Sequence, residues 1–260
     1  MAKRAYGYRP DIMDFRDFIL GAGEAVPPEG LPPLPPLVDL RDKFPPVWNQ
    51  GSLQSCVGQS TAAAIQFDEM MEKEPEAESS PSRLFIYYNA RSLMGGKEMV
   101  KIDAGATIRD AVKSVTKWGV CKETSWPYQD NYVNTKPSCS AYSSAKVHKA
   151  LVYSRVNQNL DSIKRVLFGN HPVIFGMAVY NSFESDEVEK TGMVPMPSKE
   201  EKMKGGHACV LCGFSDDKQC FIVRNSWGEN WGDGGYFLLP YNYATNDNLA
   251  ADFWVITRMS

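Results

Sequence analysis

Two patterns of apolar residues divide the chain, and the division limits the folds open to it. Up to about residue 118 the pattern is helical. One helix begins near Cys56 and runs through TAAAIQFDEMMEK. A second fits PSRLFIYYNARSLM, with Ser82 near its start and Gly95-Gly96 after its end. A third fits TIRDAVKSVTKW and closes at Gly119. Residues 120–145 read as an irregular loop, and LDSIKRVLF as a further short helix ending at Gly169. Then the pattern changes. PVIFGMAVY, HACVLCGF, CFIVRN and GYFLLP are short, rich in β-branched and aromatic residues, and separated by turn residues such as Ser215-Asp216-Asp217-Lys218. Helices first and strands second predict an α+β protein of two lobes, a helical one over about 50–145 and a β-barrel-like one over about 146–260. A site belongs in the cleft between them.

Residues 1–36 stand apart. Their PPEGLPPLPP stretch is extended and polyproline-like, so they read as a Pro-rich extension before a domain at 37–260. The first twenty residues include basic ones but lack the apolar core of a signal peptide. No apolar run nears the ~18 residues of a membrane span. With 28 Lys and Arg against 31 Asp and Glu, the chain has no basic excess to meet a nucleic acid. The partners expected are therefore not nucleic acid or membrane. There are six cysteines. If one must stay free to react, at least one of the other five is also unpaired, and a cytoplasmic or other reducing compartment is expected.

One of those cysteines has a telling address. In NQGSLQSCVG, Cys56 sits where a polar loop becomes a helix. The free N–H groups of a helix start stabilise a thiolate, which is the nucleophilic form. Such a thiol needs a base, and the chain has three histidines. His148 lies in the alternating segment AKVHKALVY and reads as an exposed strand residue. His171 precedes Pro172 and reads as a turn residue. His207 follows Gly205 and Gly206 at the mouth of HACVLCGF, placed to meet a helix end across a cleft. A metal reading of His207, Cys209 and Cys212 fails on strand alternation, since Cys212 points away from the other two. It also lacks the Glu and Pro of the zinc-deaminase pattern. No metal or other cofactor is expected. In RNSWGENWGDGGYF, an Asn side-chain oxygen can orient an imidazole while a Trp keeps water from that bond.

Taken together, these blocks resemble the papain-like (cathepsin-like) cysteine peptidases. VDLRDKFPPVWNQGSLQSC resembles the family's opening and nucleophile block. GGHACVLCGF resembles its histidine strand, and RNSWGENWGDGGYF its Asn-Ser-Trp-Gly block. Cys56 and His207 are 151 positions apart and Asn225 follows 18 later, near the family's spacing. The resemblance implies a papain-like fold and a cysteine endopeptidase acting through a thioester acyl-enzyme. It implies Cys56 as nucleophile, His207 as its base, Asn225 as the residue orienting the base, and Gln50 with the Cys56 backbone N–H as oxyanion donors. Trp227 would shield Asn225 and Trp231 would flank the leaving group. Gly105 would pair with substrate backbone, and Ala208 would wall the pocket for the second residue upstream of the cut. The pocket floor falls in Leu249–Asp252; an apolar pocket is expected, with Asp252 as an alternative that would favour a basic side chain.

Three departures bear on these expectations. Leu53 replaces a cysteine that secreted relatives use in a disulfide, in keeping with a reducing compartment. Val57 replaces a tryptophan after the nucleophile. Gly206 replaces an acidic or polar residue before the histidine. A helical inhibitory segment is not recognisable before residue 37. The extension is expected to act as a propeptide-like strap over the groove, through LPPLPP, or to pack on the back of the domain. A transpeptidase or acyltransferase sharing the thioester, and a catalytically silent binding module, are the competing functions. The expected partners are protein or peptide substrates and protein inhibitors, met by a monomer.

Overall fold

The computed structural model describes residues 4–12, 14–20, 32–72 and 80–259. Side-chain caps start the helices where the sequence marks them. Ser82 accepts from the Phe85 N–H, Thr107 from Asp110 and Asn159 from Ser162, opening α2 (Arg83–Met99), α3 (Ile108–Trp118) and α5 (Leu160–Phe168). Gly95 and Gly96 leave helical geometry inside α2, so the regular helix stops there before a last turn to Met99. Helix α1 (Cys56–Glu72) is buried along nearly its whole length. It packs tightly against α2 at Gly58, where a Cβ would lie 2.6 Å from the Arg83 carbonyl oxygen.

Residues 120–145 are not wholly irregular. Cys139–Ala145 form α4, capped by Ser138 and burying Ala141 and Ala145. Seven residues of mostly Ser and Ala are too few and too polar to display a helical period. His148 is not a strand residue either. It lies in a bend before β2 (Ala150–Arg155), half-buried, with its Nδ1 3.2 Å from Glu69.

The strands form one antiparallel sheet in the order β2–β7–β3–β4–β5–β6, with β1 (Leu37–Asp39) also pairing β4. The remaining strands are β3 (Val173–Tyr180), β4 (Met203–Ser215), β5 (Cys220–Arg224), β6 (Tyr236–Pro240) and β7 (Ala250–Met259). β2 and β6 are its two edges, so the sheet is open and resembles a barrel only loosely. β4 pairs with β3 over its first part and with β5 and β1 over its last. Its side chains enter different cores. Ala208 joins the helical core with Val57, Ile86 and Trp254. Cys209 and Leu211 join Phe175 and Phe221, whereas Val210 and Cys212 join Phe44 and Phe67. Cys209 and Cys212 thus lie on opposite faces, as alternation requires. All six cysteines are free thiols.

Candidate active site

Cys56 is the first residue of α1, and the loop before it is tied to the loop after β5. Arg224, the last residue of β5, donates to the carbonyls of Pro45 and Pro46, both at 2.7 Å. The Gln50 N–H donates to the Ser226 carbonyl (2.8 Å) and the Gly228 N–H to the Trp48 carbonyl (3.0 Å). Ser226 Oγ donates to Gln50 Oε1 (2.7 Å), and Tyr128 OH to the Gln50 carbonyl (2.8 Å). The residues carrying the thiol and those carrying the amide therefore move as one unit.

His207, in β4, reaches into this junction. Its Nε2 lies 2.8 Å from Asn225 Oδ1. That oxygen also accepts from the Ser226 N–H at 2.8 Å, which fixes its identity and makes Nε2 the donor. Trp227 stacks on the imidazole at 5.0 Å between ring centroids, interplanar angle 27°. Among the described residues His207 Nδ1 has no hydrogen-bond partner, a buried nitrogen left available for chemistry. The Cys56 sulfur faces the backbone N–H groups of Ala208, Gly7, Val57 and Cys56 itself, but burial outweighs them and pushes the thiol up to about 11. Burial also pushes His207 down to about 4, aided by Arg4 and opposed by the Asn225 bond. Burial thus disfavours both the thiolate and the imidazolium.

What buries them is the chain's own N-terminal arm. Arg4 lies over Trp227, 4.4 Å from the ring centroid. The Ala5 carbonyl accepts from Gln50 Nε2 at 3.2 Å, while the same amide donates to the Leu53 carbonyl at 2.7 Å. Tyr6 presents its ring edge-on to His207. Gly7 passes the nucleophile loop so closely that a Cβ would lie 1.7 Å from the Gln54 carbonyl oxygen. The Ala106 N–H donates to the Gly7 carbonyl (2.8 Å), the Arg9 N–H to Ala106 (3.0 Å) and the Tyr8 N–H to Gly206 (2.9 Å). Tyr8 OH donates to Asp252 (2.6 Å). Beyond it, Asp11 and Asp17 meet Arg155 at 2.8 and 2.9 Å, and Asp17 meets Arg109 at 2.6 Å. The described end of the polyproline stretch lies elsewhere: the Pro36 carbonyl accepts from Asp216, beside the β1–β4 pair. Residues 27–31 of that stretch lie outside the described residues.

The structure thus brings Cys56, Gln50, His207, Asn225 and Trp227 together. Gly105, at φ +75°, and Ala106 present backbone to the arm, and Ala208 lies with Tyr8 in the same core. Trp231 lies next to this group, its ring edge-on to Trp227 at 5.0 Å. It is buried and packs on Phe183 and Phe237 as well, so it supports the shielding ring. Ser226 was not singled out by sequence, although it directly follows Asn225; its hydroxyl is the group that orients Gln50. Gly7, Tyr8 and Arg155 carry no local signal of belonging to a site.

A sequence model described as papain family cysteine protease matches residues 34–254. The chain belongs to the papain family of cysteine proteases. An uncharacterized peptidase C1-like protein of Acanthamoeba polyphaga mimivirus is 41% identical over 220 residues, 82% of this chain and 70% of its own. Cathepsin K of Mus musculus is 27% identical over 214 residues, 80% of this chain and 60% of its own. Among solved structures, xylellain, a cysteine protease from Xylella fastidiosa, superposes with a TM-score of 0.86 at 40% identity, covering 98% of this chain and 96% of that one. This papain-family protease is a peptidase, with the fold of its family, acting on protein substrates. The arm at residues 4–20 precedes the stretch that matches the family.

Proposed function

We propose that this protease is a cysteine endopeptidase working through Cys56, His207 and Asn225, with Gln50 in the oxyanion hole, and that residues 4–20 hold it closed. The observation that carries the reading is the His207–Asn225 bond of 2.8 Å beneath Trp227, beside a thiol at a helix start. Asn225 holds the proton on Nε2, which leaves Nδ1 free to take the proton of the Cys56 thiol. The sulfur attacks the peptide carbonyl. Gln50 Nε2 and the Cys56 N–H receive the oxyanion, and the Ala5 carbonyl at Gln50 supports that assignment. The imidazolium then protonates the departing amine, leaving a thioester. Water, deprotonated by the same imidazole, releases the acid and restores the thiol. The cleft holds arm backbone on both sides of Cys56, from Trp227 to Asp252, which favours an endopeptidase.

The arm also explains why it survives its own enzyme. Its earlier residues lie at Trp227 and its later ones at Ala208 and Asp252. In the family a substrate's upstream residues lie on the Ala208 side, so the arm runs backwards through the cleft. Residues 37–260 then form the peptidase unit and 1–36 a regulatory extension. The test keeps the full chain. Gly7→Val cannot seat against the Gln54 carbonyl, so it should open the cleft and speed labelling of Cys56 by a thiol-directed epoxide at least about tenfold, with a matching rise in peptide hydrolysis. His207→Ala in that background should abolish both. Equal labelling rates in wild type and Gly7→Val would defeat the strap; labelling spread over several cysteines at ordinary thiol rates would defeat the nucleophile assignment. The free thiols and Leu53 favour a reducing compartment. Alkylation of acid-quenched cell extract should then find six free thiols, and fewer would overturn it.

A further inference from the structure

The arm does more than cover the cleft: one of its side chains fills a slot that is built like a mould. Tyr8 lies between two strand glycines. A Cβ on Gly176 would fall 2.0 Å from Tyr8 Cζ, and one on Gly206 2.8 Å from Cδ1. Neither glycine has a positive φ, so the backbone does not demand them. What they supply is room for a flat ring. At the bottom stands Asp252, held at φ +57°, a conformation costly for a residue with a side chain. One of its oxygens takes two hydrogens from the arm, Tyr8 OH at 2.6 Å and the Asp11 N–H at 2.7 Å. The other takes Arg155 Nη1 at 3.1 Å.

When the arm leaves, both donors to the first oxygen leave with it and Arg155 stays on the second. The empty slot is then ring-sized and ends in a carboxylate oxygen lacking a donor. We infer that this slot selects a tyrosine side chain in the substrate, with Asp252 as the residue that reads the phenol hydroxyl. The inference rests on the endopeptidase reading above. Phenylalanine fits the same walls but leaves the acceptor unpaired, and a site built to bond a hydroxyl discriminates against the analogue without one. A basic side chain fares worse. Asp11 and Asp17 depart with the arm, so Arg155 relies on Asp252 and a second cation would compete for the same carboxylate. The expectation of an apolar pocket, and its basic alternative, give way to an aromatic pocket with a polar floor. The reversed backbone of the arm does not alter this, because the slot reads a side chain.

The test uses full-length Gly7→Val and peptides differing only at the second residue upstream of the cut: Tyr, Phe, Leu or Arg. The Tyr peptide should exceed the Phe peptide by at least about tenfold in kcat/KM, from one hydrogen bond to a charged acceptor. Adding Asp252→Gly, which suits the positive φ, should bring the Tyr-to-Phe ratio within about twofold. Equal rates for Tyr and Phe, a preference for Arg, or a ratio that survives Asp252→Gly would overturn the inference alone. Labelling of Cys56 without turnover of any peptide would instead overturn the endopeptidase reading, and no labelling would overturn the strap; either takes the inference with it.

Discussion

The arm is held at its two ends by different physics. At the Trp227 end its charged contacts face water: the Arg4 and Glu189 side chains, 2.9 Å apart, are 27% and 39% exposed. At the Asp252 end, Asp11 is fully buried, Asp17 is 3% exposed and Asp252 8%, and all three meet Arg155. An exposed pair is worth ~0–1 kcal/mol, whereas removing one partner of a buried pair costs ~3–5 kcal/mol. The first end therefore covers the catalytic groups and the second does the holding. Covering and anchoring are separate jobs, done by neighbouring residues of the same stretch of chain.

The most severe way to break this comparison is Arg155→Ala. It strips three carboxylates of their shared partner, and release of the arm relieves the penalty on Asp11 and Asp17. Cys56 alkylation at neutral pH should rise by ~10² or more, from a loss of ~3–5 kcal/mol. An unchanged rate would mean the buried cluster does not anchor the arm.

A smaller effect separates the ends by pH. Asp11 is pushed up to about 6 by burial and by Asp252, against Trp254, Arg155 and Arg109. Its ordinary value is 3.8, so the closed arm binds that proton more tightly than the open arm does, and acid below pH 6 favours closure. His207 runs the other way. Its closed value of about 4 lies below its ordinary 6.5, so protonation between these values favours opening. The two largely offset each other in the wild type. Asp11→Asn removes the first together with one carboxylate that holds Arg155, so the Tyr8 and Arg9 amide resonances should already sit nearer the open position at neutral pH and move further towards it as pH falls from about 6.5 to 4. Resonances that stay put would show that His207 does not feel the arm.

Arg4→Ala should be the mildest change. Losing an exposed ion pair and a cation–π contact is worth ~1 kcal/mol, so alkylation should rise by less than about fivefold. A rise as large as that of Arg155→Ala would reverse the assignment of the two ends.

That Cys56, His207, Asn225 and Trp227 come together was legible in sequence because their signals are local. Cys56 is read from the loop-to-helix junction around it, and Asn225 and Trp227 from one short block. His207 is read from a choice of three. The helical and strand halves were legible for the same reason, down to Ser82, Thr107 and Asn159 beginning their helices. What was hidden depends on chain that returns from far away. Tyr8 meets Asp252 across 244 positions and Arg155 meets Asp11 across 144. No periodicity links such pairs. The polyproline stretch drew attention because its composition is unusual, yet the covering residues are the plainer Ala5 to Arg9. Trp231 is noticed through its motif, and only packing reveals that it also rests on Phe183 and Phe237.

The occupant and the cleft belong to one polymer. Closure is therefore an intramolecular event, governed by an effective concentration and not by the concentration of the protein in solution. Diluting the protein cannot open it. A free peptide copying residues 4–20 would have to reach comparable concentrations to replace the arm. A single cut anywhere between Leu20 and Leu37 would turn a permanent occupant into a ligand that dilution can remove.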